Sequence, residues 1–252
     1  MAALVICMAG LNTRFHDVGF DIPKYLLPWK NQTIIHEILK QLGTFDEVLL
    51  LANKRDVYFK PQLLATIQPL GLDETNIHYI GDTNGQAHTA YIGATLVKDP
   101  YAPLFIHNAD TLLIGRNFKL IEDNVGDAYI DVFVANNPKY SYVRSKDGLV
   151  TDIVEKSVIS PFASSGLYGF ASSELYKDVY EELSESFTGK EMFIANLLSY
   201  MVRNNFHVGL NELNNEYETV VLGSPQEYGL ELAKRSEEHT SELQSLAYLV
   251  CR

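Results

Sequence analysis

The sequence lacks the residues that several common classes of protein depend on. It has two cysteines, Cys7 and Cys251, at opposite ends of its 252 residues, so a disulfide framework is excluded. No stretch approaches the ~20 consecutive apolar residues that a membrane-spanning helix needs. The first apolar run has no basic segment before it and is too short for a signal peptide. These absences predict a cytoplasmic protein without a membrane span.

Motifs of several enzyme classes are missing as well. The seven histidines are scattered, with no HExxH or other paired spacing, so a zinc site is not expected. There is no GxSxG elbow of a serine hydrolase, and no Gly-Lys-Ser/Thr follows the first glycine as in a P-loop. The formal net charge of −12 argues against general nucleic-acid binding, which needs a basic face. It is compatible with a phosphorylated ligand where a few cations gather locally.

The order of apolar patterns predicts an α/β fold. Strands are predicted at residues 2–8, 47–52, 77–80, 104–107 and 128–135, and helices at 33–42, 58–70 and 86–97. Alternation of this kind means βαβ units and a mostly parallel sheet. The second half predicts a hairpin at 140–154, strands at 164–170, 206–210 and 218–222, helices at 173–183 and 190–202, and a final helix capped by Ser224.

The last residues differ in character from the rest. Residues 235–245, RSEEHTSELQS, resemble the translation of a common sequencing adapter over eleven successive residues. A natural polar helix is the alternative. We therefore expect one domain over residues 1–234 and a non-native tail over 235–252 that is not part of the fold.

A short loop after the first strand is suited to bind phosphate. Open α/β sheets bind ligands outside the carboxyl ends of their strands. Gly10 lets the backbone approach a ligand closely, and Asn12 tolerates positive φ, so the loop's N–H groups can form an anion-binding nest. The loop consists of Ala9, Gly10, Leu11, Asn12 and Thr13.

Two cations accompany this loop. Arg14 carries a planar fork that suits phosphate oxygens, and Lys24 a compact point charge. Pro23 stiffens the backbone before Lys24 and so limits where its ammonium can lie. The simpler alternative is a strand, a turn and ordinary surface charge.

Asp110 follows the predicted strand at 104–107 and should project from the same sheet edge as Gly10. A carboxylate there suits Mg²⁺, which takes one or two carboxylates together with substrate phosphates. The alternative is an aspartate that only caps the turn after the strand.

Residues 8–28 resemble the signature of the sugar nucleotidyltransferases, or nucleoside-diphosphate-sugar pyrophosphorylases. That signature is Ala-Gly-x-Gly-Ser/Thr-Arg followed by Pro-Lys, and here Asn12 stands where glycine is usual. The resemblance extends over most of residues 1–228 and is nearest to members of surface-polysaccharide pathways. It implies a Rossmann-like three-layer α/β/α fold of the nucleotide-diphospho-sugar transferase type. It also implies Mg²⁺-dependent transfer of a nucleotide from an NTP to a sugar 1-phosphate or similar acceptor, with release of pyrophosphate.

The same resemblance implies roles for individual residues. Arg14, Lys24 and the metal ligand Asp110 would be catalytic, and the loop at 9–13 would bind the nucleotide. Gly85 and Gln86 would contact the base, although an exposed glutamine at a helix start is also common. The sugar-phosphate residues would be Glu155 on the sugar hydroxyls, Lys156 on the phosphate, and Gly166, which leaves room for the sugar.

One family feature is absent, and other functions therefore stay open. Val221 occupies a position where the family often has a second metal-binding carboxylate. Asp110 with phosphates and water would suffice, or Glu218 or another group would substitute, or activity is impaired. A GT-A-type glycosyltransferase, with Asn-Ala-Asp at 108–110 as a degenerate metal motif, is the first alternative. A catalytically weak nucleotide-binding or regulatory homologue is the second.

Overall fold

The computed structural model of the protein describes residues 2–123, 125–211 and 216–234. The strands are β1 Ala3–Met8, β2 Pro28–Trp29, β3 Gln32–Thr33, β4 Glu47–Asn53, β5 Ile77–Ile80, β6 Leu104–Asn108, β7 Thr111–Ile114, β8 Ala128–Val134, β9 Ser141–Lys146, β10 Leu149–Glu155, β11 Phe162–Phe170, β12 Val208–Leu210 and β13 Glu218–Val221. The helices are α1 Thr13–His16, α2 Ile34–Leu42, α3 Lys60–Ile67, α4 Gln86–Leu96, α5 Phe118–Glu122, α6 Ser173–Ser186, α7 Ile194–Arg203 and α8 at residues 225–234. The tail at 235–252 lies outside the described residues.

Nine of the strands form one mixed sheet in the order β5-β4-β1-β6-β11-β8-β12-β10-β9. Strands β5, β4, β1 and β6 are parallel to one another, as the βαβ pattern predicted. β8 and β12 are also parallel. β11 runs antiparallel to β6, β8 and β9, and β10 runs antiparallel to β9 and β12. Because β9 pairs with both β10 and β11, the last five strands of this order close into a small barrel.

The α/β class is therefore confirmed, but the prediction of a mostly parallel sheet is wrong. Among the described strands of this sheet, four pairings are parallel and five are antiparallel. The difference arises where helical crossovers give way to short connections. Between β9 and β10, Asp147 and Gly148 have φ of 53° and 78°, the combination that a two-residue hairpin turn requires. A connection this short can only join antiparallel strands.

Helices cover both faces of the sheet, because alternate side chains of the central strands point to opposite sides. In β1, Leu4 and Ile6 belong to one apolar cluster, which includes residues of α2 and α3. Ala3 and Val5 belong to the other, which includes residues of α4, α6 and α7. None of the helices in the described ranges is long and apolar enough to cross a bilayer.

Two local differences from the predicted elements matter for the site. The helix predicted from residue 190 begins only at Ile194, since Met192 makes backbone hydrogen bonds with residues 84 and 87. Strand β13 was predicted, but its partner β7 was not. The two strands pair so that Val221 lies opposite Thr111, the residue after Asp110. These contacts are tertiary, so no local sequence pattern announces them.

Candidate functional site

Two adjoining cavities lie at the carboxyl ends of β1 and β6. The first, of about 440 Å³, is lined by residues of the loop after β1, by Lys24 and by Asp110. The second, of about 180 Å³, is lined by residues of β9, β10 and β11. Gln86, Asn108 and Phe193 line both cavities and therefore mark their junction. The site thus offers room for two ligands, or for two parts of one ligand, side by side.

The loop after β1 has the left-handed residue that its sequence allows. Asn12 adopts φ 56° and ψ 18° and precedes α1, where its carbonyl oxygen accepts from the backbone N–H groups of Phe15 and His16. Its side-chain Nδ2 donates to the carbonyl oxygen of Ile22 at 3.3 Å, which ties the loop to the segment before Lys24. Ala9, Gly10 and Leu11 line the first cavity. Asn12 lines a separate hollow of about 200 Å³ behind the loop.

Lys24 and Asp110, which are far apart in sequence, form an ion pair in the first cavity. Lys24 Nζ lies 2.5 Å from Asp110 Oδ2. Partial burial acts to raise the pKa of Asp110, but the charge and hydrogen bond of Lys24 outweigh it, so the pKa lies below its ordinary value. The carboxylate is therefore ionised at neutral pH and available to a cation or to a competing ammonium.

Arg14 lies apart from this pair. It is exposed on α1 and lines neither cavity, and it forms no ion pair or hydrogen bond with the described part of the chain. Arg14 would contact a polyphosphate only if that ligand extended from the first cavity past the loop at 9–13.

His107 holds the turn that presents Asp110, a role that the sequence analysis missed. Its ring is fully buried, with Nδ1 3.2 Å from the carbonyl oxygen of Gly166 and Nε2 2.8 Å from that of Thr111. The backbone N–H of Leu222 also donates to the Asp110 carbonyl oxygen at 2.8 Å. The only sequence signal was a histidine inside the apolar run of β6. Both sides of the turn around Asp110 are thus fixed by β11 and by the residue after β13.

The start of α4 forms the wall between the cavities. Gly85 has φ 105°, and a Cβ there would lie 2.6 Å from the carbonyl oxygen of Met192, so only glycine fits. Gln86 Nε2 donates to the side-chain oxygen of Asn108. Gln86 is therefore engaged at the junction in this state, and a base would have to compete with Asn108 for its amide.

The second cavity is lined by several hydroxyl groups and by one carboxylate, that of Glu155. Ser141 Oγ donates to Glu155 Oε2, and Ser164 Oγ bonds the Tyr168 hydroxyl at 3.0 Å. Gly166 has φ 91°, and a Cβ there would overlap the side-chain amide of Asn108. Groups of this kind, beside the apolar ring of Phe193, suit a polyhydroxylated ligand.

Lys156 is placed differently from Glu155, although the two are adjacent in sequence. Its side chain is 57% exposed, and its Nζ lies 3.9 Å from Glu155 Oε1 and 4.4 Å from the centroid of the Phe193 ring. Lys156 itself is not among the described residues that line either cavity. It lies at the rim of the junction.

A second carboxylate, that of Glu227, lies close to Asp110 and was not among the predicted site residues. A Cβ on Gly223 would lie 3.0 Å from Asp110 Oδ2 and 3.8 Å from Glu227 Oε2, so both carboxylates lie beside this glycine. Glu218 pairs with Ile114 at the opposite end of β13 from Val221, so it is not positioned to substitute at Asp110.

The donor set fits a magnesium ion that arrives with a nucleotide. Among the described residues there is no cluster of three or more His, Cys, Asp or Glu that would hold a metal by itself. Asp110 presents one hard oxygen ligand to the first cavity, and Gly223 leaves space beside it. Mg²⁺ takes one or two carboxylates and completes its shell with substrate phosphates and water, so one carboxylate is sufficient.

The fold has counterparts among solved structures. The structural neighbours of this chain are nucleoside-diphosphate-sugar pyrophosphorylases and sugar-phosphate nucleotidyltransferases. The resemblance inferred from residues 8–28 to this group of proteins is therefore confirmed. No family model matches the sequence, and no curated protein matches it.

Three of these neighbours show how far the likeness extends. The nucleoside-diphosphate-sugar pyrophosphorylase of Vibrio cholerae RC9 superposes with a TM-score of 0.78 over 90% of this chain and 98% of its own, with 26% identity. A candidate glucose-1-phosphate thymidylyltransferase of Bacillus anthracis gives 0.74 over 91% and 93%, with 16% identity. The inositol-1-phosphate CTP transferase of T. maritima gives 0.68 over 90% of each chain, also with 16% identity. At 16% identity the last two show the shared fold alone.

Proposed function

We propose that this protein is a sugar-phosphate nucleotidyltransferase, which transfers a nucleotide from an NTP to a sugar 1-phosphate and releases pyrophosphate. One observation carries the proposal: the Lys24–Asp110 pair lies in a cavity that shares three lining residues with a second, hydroxyl-rich cavity containing Glu155. The names of the structural neighbours support it. A cytoplasmic location and a place in polysaccharide synthesis remain part of the proposal.

The chemistry requires positioning more than proton transfer. An oxygen of the acceptor phosphate attacks the α-phosphorus of the NTP, the bond between the α-phosphorus and the bridging oxygen breaks, and pyrophosphate leaves with that oxygen. The attacking oxygen is already ionised near neutral pH, so no general base is needed. The protein must hold two anions together and offset the charge that develops at the α-phosphate.

The chain's own groups can perform these tasks. The loop at 9–13 and Arg14 would hold the triphosphate, Gly85 and Gln86 would contact the base, and Lys24 would contact the reacting phosphates. Asp110 would hold Mg²⁺, which supplies positive charge at those phosphates when bound. Without a ligand, the charges of Lys24 and Asp110 neutralise each other. Binding of the NTP with Mg²⁺ would replace this ion pair by two interactions, one between Lys24 and phosphate and one between Asp110 and the metal.

The acceptor would occupy the second cavity. Glu155 would accept hydrogen bonds from sugar hydroxyls, and Lys156 at the rim would bind the sugar-linked phosphate. Gly166 would leave space for the ring beside Asn108. The carboxylate and the hydroxyls of this cavity are the groups that commonly fix the orientation of a polar ligand.

A pyrophosphate-release assay tests the proposal, with each NTP combined with a panel of sugar 1-phosphates and Mg²⁺. We expect Asp110→Asn and Lys24→Met to lower kcat/KM by about 100-fold or more, as is typical for loss of a group that stabilises the transition state. The matched controls Asp178→Asn and Lys40→Met, both exposed on helices, should retain wild-type activity. Pyrophosphate release at the wild-type rate by either site variant would contradict the assignment.

The same experiment separates the alternatives. A glycosyltransferase would consume a nucleotide-sugar without releasing pyrophosphate. A binding or regulatory homologue is favoured by one observation, the presence of Val221 beside Thr111 where a second carboxylate is usual. Such a protein would be stabilised thermally by an NTP with Mg²⁺, by about 2.7 kcal/mol at a ligand concentration of about 100 times Kd, and would show no turnover.

A further inference from the structure

The second cavity contains a cation to which no role has been given. Lys139 lies just before β9 and is the one positively charged residue among the described residues that line this cavity. Its ammonium is paired with Glu227 Oε1 and lies 4.8 Å from the centroid of the Tyr140 ring. Lys139 therefore lines the cavity while its ammonium is held by Glu227 and lies against the Tyr140 ring.

Glu227 is itself held in place by other donors. Ser224 Oγ donates to Glu227 Oε2 at 2.6 Å, and the Tyr140 hydroxyl donates to Glu227 Oε1 at 3.3 Å. Partial burial acts to lower the pKa of Lys139, but the hydrogen bonds to Glu227 and Tyr140 and their charges together outweigh it, and the pKa lies above its ordinary value. The cation is thus both fixed in position and charged at neutral pH.

Two lysine–carboxylate pairs lie close to Gly223. Lys24, which lines the first cavity, pairs with Asp110, and Lys139, which lines the second, pairs with Glu227. A Cβ on Gly223 would lie 3.0 Å from Asp110 Oδ2 and 3.8 Å from Glu227 Oε2, so the two carboxylates are neighbours. A ligand phosphate in the second cavity would therefore meet Lys139 close to the Lys24–Asp110 pair.

We propose that Lys139 binds the phosphate of the acceptor, with Glu227 and Tyr140 as the residues that position its ammonium. This inference rests on the proposed function. It adds a phosphate-binding residue to Lys156, whose side chain is 57% exposed at the rim and already lies against Phe193. The acceptor is thereby specified as a phosphate monoester whose phosphate enters between Lys139 and the nucleotide.

The experiment compares Lys139→Met with Lys146→Met in the pyrophosphate-release assay, using the full chain and the acceptor that the wild-type protein uses best. Lys146 lies at the end of β9, is exposed and lines neither cavity. We expect Lys139→Met to raise the KM for the sugar 1-phosphate by about 10- to 100-fold, the effect of losing a hydrogen bond between charged groups. The KM for the NTP should change by less than about twofold, and Lys139→Arg should restore most of the acceptor affinity.

Two further readouts keep the outcomes distinct. Thermal stabilisation of Lys139→Met by the NTP with Mg²⁺ should equal that of the wild-type protein, which a merely structural defect would not preserve. An acceptor KM that is equal in Lys139→Met and Lys146→Met would overturn the role of Lys139 and leave the proposed function intact. Absence of pyrophosphate release by the wild-type protein with every substrate pair would overturn both.

Discussion

Replacing Arg116 by methionine should cause a large loss of stability. The guanidinium forms a forked pair with Asp131 in β8, with Nε 3.3 Å from Oδ1 and Nη2 3.1 Å from Oδ2. The two side chains are 1% and 0% exposed. Arg116 also donates to the carbonyl oxygen of Glu218 at 2.7 Å and to Thr219 Oγ1 at 2.6 Å, so it joins β8 to β13. Because β13 leads to Leu222, whose N–H donates to the Asp110 carbonyl oxygen, the same contacts support the turn that presents Asp110.

The size of the loss follows from the charge that remains. Without Arg116 the Asp131 carboxylate stays buried with no countercharge, and breaking such a pair from one side costs about 3–5 kcal/mol. A domain has about 5–15 kcal/mol of stability in total. For a chain of this size each kcal/mol corresponds to about 2–4 °C in Tm, so we expect Tm to fall by roughly 6–20 °C.

Urea unfolding and thermal melts followed by circular dichroism would measure the loss of unfolding free energy and of Tm in Arg116→Met. Arg144→Met is the matched control. Arg144 Nη1 lies 3.6 Å from Asp152 Oδ2, and the two side chains are 58% and 41% exposed. Exposed ion pairs contribute only about 0–1 kcal/mol to stability. Adding Asp131→Asn to Arg116→Met should recover part of the loss, since the buried charge is removed. A loss below about 1 kcal/mol in Arg116→Met, or no recovery in the double variant, would refute the reasoning.

Two further predictions concern the site. Gly166→Ala should lower stability by about 1–3 kcal/mol and weaken acceptor binding, because the new methyl group meets Asn108. The control Gly148→Ala, at φ 78° in open space, should show the backbone strain but leave the acceptor KM unchanged. Equal acceptor KM values in the two variants would contradict this prediction. The pKa of Asp110 is lower in the folded protein than its unfolded value of about 3.9. The ionised carboxylate therefore stabilises the fold at pH values above about 3.9, and this stabilisation is lost as the pH falls through the folded pKa. The stability difference between wild type and Asp110→Asn should therefore shrink in urea titrations at decreasing acidic pH, and a constant difference would show that the Lys24 pair is not its source.

The sequence predicted local structure well where a single residue or the spacing of apolar residues determines it. The helix predicted at 33–42 is α2, where Thr33 accepts from the His36 N–H at the start and Gly43 ends the helix with φ 79°. Asn12 adopts the positive φ that its side chain tolerates. Strand β6 was predicted within one residue. Each of these outcomes depends on near neighbours along the chain, so the linear pattern contains the information.

Strand direction and the makeup of the cavities depended on contacts between distant residues. The apolar strands were visible in the sequence, but their antiparallel pairing around β11 depends on how β9 and β10 fold back on it. The approach of Asp110 to the loop with Gly10 was expected from the adjacency of strand ends, whereas its ion pair with Lys24 was not. Glu227 lies in the first turn of the helix that Ser224 was predicted to cap, and its place near Asp110 depends on the packing of β13 against β7.

The sequence alone therefore determined the α/β class, the loop after β1 and the residue types that suit a phosphate ligand, because periodicity, glycine and charge act locally. Only the tertiary structure decided which of these charges compensate one another. Lys139 and Glu227 are 88 residues apart, and no property of either residue indicates the other. Their pairing depends on the closed barrel, which fixes Lys139 before β9, and on β13, which leads to the helix that carries Glu227.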